Sequence, residues 1–356
     1  MFIVAGDLGY RYTKGINRYG DRILFPSVVG PGFKKEHSRY LGDTASVGFN
    51  ADNLYLKISD GEGFKEYFVG NLAQAELKNP VYPFAENKIY QTETRVLIAA
   101  LVMMATIIMG PTQTEPLCFA TGLPFKYFGP QHREFEAFLK KLDFFVTYES
   151  GEIRLSRRVR FDEIILFPQG VGAIWHARER HPGLLQDEGA LIGLVDIGGK
   201  TTEIVLFSVT ERGLELRENL SDTFNLGTST VEDEIYNAYH KKTGSVLSDA
   251  DLSAMVRRGY IYHNGEKMEF HREIAIARKM LADNIINAMN RRWGDQVKQV
   301  KNIVFVGGGA ADLSYNIKQL PNAIIALDPQ FANVSGYYKV ARAKMARLGM
   351  FTAKRQ

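Results

Sequence analysis

One pattern occurs twice in this chain, at positions 189 residues apart. Asp7 follows an apolar run in FIVAGDLG, and Asp196 follows a similar run in ALIGLVDIGG. In both places a second β-rich segment, a turn and a third segment come next. Each copy therefore predicts a three-stranded meander with an aspartate in its first turn. The repetition predicts two related lobes.

Chain length and the order of elements agree with two lobes. The 356 residues exceed the roughly 250–300 at which a single hydrophobic core stops growing. In the first half, an apolar helical pattern at 96–111 leads to the strand LCFATGLP. In the second half, a helical pattern from His271 to Trp293 leads to the strand NIVFVGGGAADL. This alternation predicts α/β lobes with open sheets.

Two regions have the character of insertions. Residues 31–80 contain NLYLKIS and KEYFVG, which predict a hairpin, and residues 228–270 contain two helical patterns. Ser248 is the predicted N-cap of the second of these helices. A further helix is predicted from Gly170. We expect a first domain of residues 1–182 and 331–356, with the insertion at 31–80, and a second domain of residues 183–330, with the insertion at 228–270.

Hydropathy favours a soluble, cytoplasmic protein without a membrane partner. The uncharged stretch at 96–111 is shorter than the ~20 residues that a membrane span needs, so it predicts a buried helix that ends at Gly110 and Pro111. No basic segment followed by a long apolar one indicates a secretory signal. The lone Cys118 lies in an apolar segment and is expected to be a buried thiol, which fits a reducing compartment.

The aspartates have two interpretations. Asp196 in a Gly-containing turn is an ordinary turn former on one of them. On the other, two such turns facing each other place two carboxylates across a cleft, and this suits Mg²⁺, which prefers oxygen ligands and keeps several waters. Gly9, Gly198 and Gly199 matter for a separate reason, because glycines let backbone N–H groups approach phosphate oxygens closely.

Other residues extend this site. Lys14 would add a positive charge, and Thr13, Thr201 and Thr202 would add hydroxyl donors. The run from Gly307 to Ala310 follows a strand and opens a helix, where a base or ribose would lie against the backbone. A tight strand-to-helix turn is the alternative for this run. No P-loop motif is involved, since a strand follows each aspartate turn.

Four segments together resemble a known superfamily. DLGYRYTK, DIGGKTTE, FPQGVGA and VGGGAA occur in the order seen in actins, sugar kinases and heat-shock chaperones, and residues 7–14 match the first phosphate motif of actins in spacing. FPS at 25–27, the length and DPQFANVSGYYKVA from Asp328 resemble bacterial ParM-type actins, which segregate plasmids. This resemblance implies an actin-like, duplicated ribonuclease H-like α/β fold, with two lobes and a nucleotide cleft between them.

The resemblance also implies roles for individual residues. Asp7 and Asp196 would position magnesium, directly or through water, and Gln169 would orient the attacking water as a catalytic residue together with Asp196. ParM proteins usually have Glu at the position of Gln169, which leaves the hydrolysis rate open, and a helix-start role beside Pro168 is the alternative. Gly199 stands where conventional actins have a second acid, and Lys200 has no clear counterpart. The expected nucleotide-binding residues are Asp7, Gly9, Tyr10, Arg11, Thr13, Lys14, Gly198, Gly199, Lys200, Thr201, Gly227, Gly307, Gly308, Gly309 and Ala310.

The function expected from the resemblance is an ATPase that couples hydrolysis to polymerisation. Its cofactors would be ATP, or GTP as an alternative, and Mg²⁺. Its partners would be further copies in a head-to-tail filament and a ParR-type DNA-bound adaptor, with plasmid DNA contacted indirectly. A small-molecule kinase of the same superfamily is a rival, but no aspartate is evident to face an acceptor hydroxyl. The other rivals are a chaperone-like ATPase, for which we expect a further substrate-binding domain, and another bacterial actin-like ATPase of the cytoskeleton or of cell division.

Two further groups of residues have a functional and a structural interpretation. Residues 331–356 contain six Lys and Arg and no acid, so this stretch would either contact nucleic acid or form a solvated helix face. His176 and His181 lie five apart, which is not the spacing of a helical metal pair, so surface or packing roles are expected.

Overall fold

The computed structural model describes residues 1–33, 51–52, 54–59, 61, 63–78, 81–82, 91–107, 115–150 and 153–350. The chain divides into two compact units. The first unit contains residues 1–123, 127–168 and 337–356, and the second contains 124–126 and 169–336. Residues 169–182, which the sequence analysis assigned to the first domain, lie in the second unit because Ala173, Ile174 and Ala177 pack into its core.

Strands and helices alternate along the chain. The strands are β1 (Phe2–Leu8), β2 (Tyr12–Asn17), β3 (Arg22–Pro26), β4 (Val29–Pro31), β5 (Leu54–Ser59), β6 (Phe64–Val69), β7 (Leu117–Leu123), β8 (Phe144–Ser150), β9 (Ile153–Val159), β10 (Glu163–Pro168), β11 (Leu191–Ile197), β12 (Thr202–Thr210), β13 (Gly213–Leu216), β14 (Asp222–Phe224), β15 (Tyr260–His263), β16 (Glu266–Glu269), β17 (Val300–Val306) and β18 (Ala323–Ile325). The α-helices are α1 (Asn71–Glu76), α2 (Thr92–Thr106), α3 (Phe125–Lys141), α4 (Val171–Arg178), α5 (Ser229–Thr243), α6 (Asp249–Arg258), α7 (His271–Trp293), α8 (Gly308–Asp312), α9 (Ser314–Ile317) and α10 (Ala332–Arg347). Short 3₁₀ helices cover Pro182–Leu185, Glu218–Leu220, Gly294–Gln299 and Pro329–Phe331.

The main sheets of the two units have the same topology. In the first unit the strand order is β10-β7-β1-β2-β3, and in the second it is β18-β17-β11-β12-β13, with β14 also paired to β12. β1 and β11 each pair antiparallel with the next strand and parallel with β7 or β17. The duplication predicted from the two aspartate segments is therefore confirmed, and so is the α/β class.

In each unit, a side chain of one helix packs on the main sheet where a strand has a glycine. In the first unit a Cβ on Gly6 would lie 2.5 Å from Leu101 Cδ2, and a Cβ on Gly15 would lie 2.4 Å from Leu101 Cδ1. Gly6 and Gly15 are cross-strand partners on β1 and β2, so Leu101 of α2 rests on a pair of residues without side chains. In the second unit the ring of Trp293 on α7 packs in the same way against Gly193 of β11.

The strongest local sequence signals are confirmed. β5 and β6 form the predicted hairpin within a second, antiparallel sheet of order β4-β6-β5-β8-β9. Ser248 accepts a hydrogen bond from the Asp251 N–H at 3.1 Å and so caps α6. Cys118 is buried, and desolvation raises the pKa of its thiol to about 12. Cys118 lies in β7 of the first unit's main sheet, and its sulfur is buried.

The apolar stretch forms α2, in which every residue from 96 to 103 is buried. Its predicted end at Gly110 and Pro111 lies outside the described residues. Among the described helices, none has the length and apolar character needed to cross a membrane.

We predict that Leu101→Ala lowers the free energy of unfolding by about 2–5 kcal/mol, because the side chain is fully buried and the glycines beneath it cannot fill the cavity. Leu24→Ala on β3 is the matched control, since Leu24 is 41% exposed, and it is expected to change the value by about 0.5 kcal/mol or less. Urea unfolding followed by circular dichroism measures both. Equal losses in the two variants would contradict this account of the core.

Candidate functional site

Asp7 lies near the end of β1, directly across from Lys14 of β2. Lys14 Nζ is 3.0 Å from Asp7 Oδ2, and the two side chains are 14% and 4% exposed. A charge pair this far from solvent is held in one arrangement more firmly than a surface pair. The sequence analysis placed both residues at one site, and the structure brings them together.

The β1–β2 turn is shaped by close backbone packing. A Cβ on Gly9 would lie 2.6 Å from the Tyr12 carbonyl oxygen, so a larger residue would displace the turn. Ser27 Oγ donates to the Gly9 carbonyl at 2.7 Å, and because that proton is used, Thr13 Oγ1 donates to Ser27 Oγ at 2.9 Å. The fully buried Thr13 thus helps to hold the turn from beneath.

Tyr10 and Arg11 occupy the outer part of this turn and are partly buried. Burial raises the pKa of the Tyr10 hydroxyl, so it stays a neutral donor at physiological pH. The Arg11 guanidinium lies 5.8 Å from the centroid of the Tyr12 ring. The backbone carbonyl of Arg11 accepts a hydrogen bond from the Ser27 N–H at 2.9 Å. Ser27 therefore donates hydrogen bonds to the turn at two points, the carbonyls of Gly9 and Arg11. This role of Ser27 was not predicted from the sequence, although Ser27 belongs to the FPS segment.

Asp196 occupies the equivalent strand of the second unit, β11, and is partly buried. Its direct cross-strand partner on β12 is Glu203, which is 5% exposed. Residues directly opposite in a sheet point to the same face, so two carboxylates share this face. The Phe125 N–H donates to Glu203 Oε1 at 3.3 Å. Glu203 was not predicted as a site residue. The available signal was its position seven residues after Asp196, the same separation that makes Lys14 the cross-strand partner of Asp7.

The β11–β12 turn is packed against the start of α5. The Gly198 N–H donates to the Thr201 carbonyl at 2.9 Å and closes the turn. The Ser229 N–H donates to the Gly199 carbonyl at 2.8 Å. A Cβ on Gly227 would lie only 2.4 Å from that same Gly199 oxygen. These expected site glycines are therefore in mutual contact.

Three neighbouring side chains differ in exposure. Lys200 at the tip of the turn is exposed, and Thr201 is partly buried. Thr202 is fully buried, and its hydroxyl donates to the Leu226 carbonyl at 2.5 Å. Lys200 and Thr201 can therefore reach a ligand outside the turn, whereas Thr202 braces the turn from within.

The third glycine run lies against Asp196. Gly307 has φ +86°, and a Cβ there would lie 2.3 Å from the Ile197 carbonyl oxygen and 2.5 Å from Asp196 Oδ1. A Cβ on Gly309 would lie 2.3 Å from Ile197 Cγ2, and Ala310 is fully buried. Around Gly308 the nearest heavy atoms are 4.0 Å from a built Cβ, so this residue offers an open, flat backbone surface.

Gln169 and Gly170 form the turn between β10 and α4, and this turn is linked to Asp196. Asn333 accepts from the Gly170 N–H at 2.9 Å through Oδ1 and donates from Nδ2 to Asp196 Oδ2 at 2.6 Å. The second unit thus gathers the turn of Gln169, the turn of Asp196 and the glycine run. Sequence reasoning missed Asn333, although it lies in the quoted segment DPQFANVSGYYKVA.

The histidines singled out in the sequence give no metal pair among the described residues. His176 Nε2 lies 3.3 Å from the Leu327 carbonyl oxygen, which agrees with a packing role. In the part of the chain that the structure describes, no three His, Cys, Asp or Glu side chains cluster so as to hold a metal ion. The carboxylates at the aspartate turns are the oxygen donors to be considered for Mg²⁺.

Two family models match the chain. The model described as "Actin like proteins N terminal domain" matches residues 5–172, and the model described as "Archaeal actin homologue MreB-like, C-terminal" matches residues 194–319. The first match includes Asp7, Lys14 and Gln169, and the second includes Asp196 and the Gly307 run. Both aspartate segments, Gln169 and the Gly307 run therefore lie within the matched ranges, and Asn333 lies outside them.

Known proteins resemble the chain over nearly its whole length. An archaeal actin homolog of Thermoplasma acidophilum is 23% identical over 349 residues, which cover 97% of this chain and 100% of the relative. A 15-stranded ParM filament from Clostridium botulinum has 29% identity and a TM-score of 0.82, covering 96% of this chain and 99% of that chain. The archaeal actin homolog Ta0583 in complex with ADP has 21% identity and a TM-score of 0.78, covering 96% and 100%, and is a likeness of fold.

We predict that Gly307→Ala lowers the free energy of unfolding by about 1–3 kcal/mol more than Gly189→Ala does, because only at Gly307 does the new methyl meet backbone and carboxylate atoms. Gly189 has a similar φ of +79° with open space around it, so the backbone strain is matched. Parallel urea unfolding of both variants measures the difference. Equal destabilisation would contradict the close packing of Gly307 on the Asp196 turn.

Proposed function

We propose that this chain, which belongs to the actin-like superfamily and resembles ParM, is an ATPase that assembles into filaments. The observation that carries this proposal is the duplicated strand–Asp–turn–strand unit, found at the same topological position in both main sheets. A third turn, built of glycines, packs on the second of these units. Three tight turns with free backbone and adjacent carboxylates suit a magnesium-bound polyphosphate.

We assign the phosphate contacts to the two aspartate turns. In the first unit, the backbone from Gly9 to Arg11 and the Lys14 ammonium would bind phosphate oxygens. In the second unit, Gly198, Gly199, Lys200 and Thr201 would do so. Gly227 acts by letting α5 approach the turn closely, as its contact with the Gly199 carbonyl indicates. Thr13 supports the first turn through Ser27.

We assign the nucleoside contact to the third glycine run. Gly308 leaves an open backbone surface on which a base or ribose would lie, while Gly307 and Gly309 face Ile197 and hold that surface in place. Ala310 is buried beneath it. ATP is the proposed nucleotide, and GTP is the alternative that the measurements below include. The solved complex of Ta0583 with ADP supports an adenine nucleotide.

Magnesium would be held by Asp7 and Asp196, directly or through water. Their carboxylate oxygens are the ligand type that Mg²⁺ takes, and Glu203 adds a third carboxylate on the face of Asp196. When bound, the ion would neutralise charge on the phosphates. Gln169 would orient the attacking water by hydrogen bonding, since a neutral amide is not a strong base.

Assembly is the second part of the proposal. The similar ParM of Clostridium botulinum is described as forming a 15-stranded filament, which supports self-association of this chain. A head-to-tail contact between unlike surfaces, repeated without closing, generates a helical filament. Nucleotide hydrolysis would then weaken the contacts and limit filament lifetime.

The biological role that we propose is segregation of plasmid DNA in the cytoplasm, through a ParR-type adaptor bound to the DNA. Similarity to ParM supports it. The second candidate is a cytoskeletal actin with another cargo, because the relatives found by sequence are named archaeal actin homologs. Addition of a DNA-bound adaptor that stabilises filament ends would separate the two.

We predict that Asp196→Asn abolishes the Mg-ATP-dependent rise in light scattering and lowers phosphate release at least about a hundredfold, because a charge that would hold magnesium is lost. The substituted amide oxygen still accepts from Asn333, so the fold should persist. The matched control is Asp187→Asn in the same unit, where the carboxylate is 65% exposed and pairs with Lys301. It should behave as the wild-type chain does.

Two results would contradict the proposed function. One is flat scattering and no phosphate release from the wild-type chain at high protein concentration, with Mg-ATP and with Mg-GTP. The other is an Asp196→Asn variant that hydrolyses nucleotide at the wild-type rate.

A further inference from the structure

Asn333 is a buried polar side chain whose amide is used at both ends. It is the second residue of α10 and is 6% exposed. The Gly170 N–H donates to its Oδ1 at 2.9 Å, and its Nδ2 donates to Asp196 Oδ2 at 2.6 Å. The side chain therefore joins the turn that carries Gln169 to the carboxylate of Asp196.

The chemistry of the two partners requires an amide here. A backbone N–H can only donate, and an ionised carboxylate can only accept. A side chain between them must accept at one atom and donate at another, which fixes the orientation of the Asn333 amide. Aspartate in its place would retain the acceptor but set a negative charge against Asp196. Alanine would leave a buried N–H unsatisfied.

The backbone around Asn333 keeps this link rigid. A Cβ on Gly336 would lie 2.2 Å from the Gly172 carbonyl oxygen, so α10 and α4 approach backbone to backbone. Gly170, with φ +89°, is packed on Leu194, since a Cβ there would lie 2.0 Å from Leu194 Cδ2. Close glycine contacts therefore fix the positions of the Gly170 N–H and of the Asn333 amide. The contact of Gly170 with Leu194 also lies only two residues from Asp196 along β11.

We propose that Asn333 is a positioning residue for nucleotide hydrolysis, an inference that rests on the proposed function. Its amide contacts Gly170 and Asp196. It fixes the direction of the Asp196 carboxylate and the place of the Gln169 turn relative to it. A shift of either group misaligns the reacting atoms, so the rate of hydrolysis depends on Asn333 while nucleotide affinity depends on it little.

The test compares Asn333→Ala and Asn333→Asp with the wild-type chain and with Asn322→Ala. Asn322 is the matched control, because its amide also donates to a buried strand, to the Val300 carbonyl at 2.9 Å, but lies outside the site. Mg-ATP affinity is measured by titration. The hydrolysis rate is measured in a single turnover, with protein in excess over nucleotide and above the dissociation constant, and is compared at equal amounts of sedimented protein. We expect both Asn333 variants to hydrolyse about 10- to 100-fold more slowly, with affinity changed less than about threefold. Asn322→Ala should match wild type in both.

Hydrogen exchange at the Gly170 amide gives a readout that does not depend on activity. Exchange should be at least about tenfold faster in Asn333→Ala, which lacks the acceptor. It should stay near the wild-type rate in Asn333→Asp, which keeps the acceptor and loses only the donor to Asp196. The isosteric aspartate also guards against a variant that merely fails to fold, and thermal unfolding of each variant monitors this.

The outcomes separate this inference from the function beneath it. A wild-type chain that does not hydrolyse Mg-ATP or Mg-GTP overturns both. A wild-type chain that hydrolyses, with Asn333→Ala at the same rate, overturns only the role of Asn333. An unchanged exchange rate of the Gly170 amide in Asn333→Ala also overturns it, because the hydrogen bond from Gly170 to Asn333 would then not exist in the wild-type chain. A loss of nucleotide affinity equal to the loss of rate overturns it as well, since a binding role would replace the positioning role.

Discussion

The packing of Gly307 on Asp196 and Ile197 is the constraint on which the rest of the second unit's site depends. The two backbone segments approach so closely that no side chain fits between them. The parallel pairing of β11 and β17 places Asp196 beside Val306. The close contact of Gly307 then sets the opening of α8 against the Asp196 turn. A tight turn, a carboxylate and a flat glycine surface therefore lie close together, and we propose them as the partners of a phosphate, a cation and a nucleoside.

Glycine contacts of the same kind recur wherever the site is supported. Gly227 lets α5 reach the Gly199 carbonyl, Gly336 lets α10 reach α4, and Gly9 lets the first turn close on Tyr12. At each contact there is no room for a side chain, and the close approach of the two backbones fixes their positions. Binding through backbone N–H groups needs such fixed positions, because the donors must be aligned before the ligand arrives. The family resemblance and the packing therefore point to the same chemistry.

The sequence predicts much of this fold because its strongest signals are local. The paired aspartate turns, α7, the hairpin of β5 and β6 and the Ser248 cap follow from strand alternation, helical periodicity and turn chemistry. From the sequence, candidate site residues can be predicted only at the glycines and aspartates, which have distinctive patterns. Ser27, Glu203 and Asn333 were missed because their roles depend on partners brought near by the fold. Asn333 meets Asp196 from 137 positions away along the chain, and no local pattern reports that contact.

The central claim is that the duplicated aspartate turns bind a nucleotide through magnesium, and calorimetric titration of ATP with and without Mg²⁺ tests it most directly. Wild-type chain and Asp7→Asn are compared, with Asp143→Asn at an exposed ion pair as the control. The account predicts that magnesium tightens binding to wild type and to the control, and that Asp7→Asn loses at least about tenfold of that gain, roughly 1.4 kcal/mol. Binding that is equally tight without magnesium, or a full magnesium effect in Asp7→Asn, would contradict it.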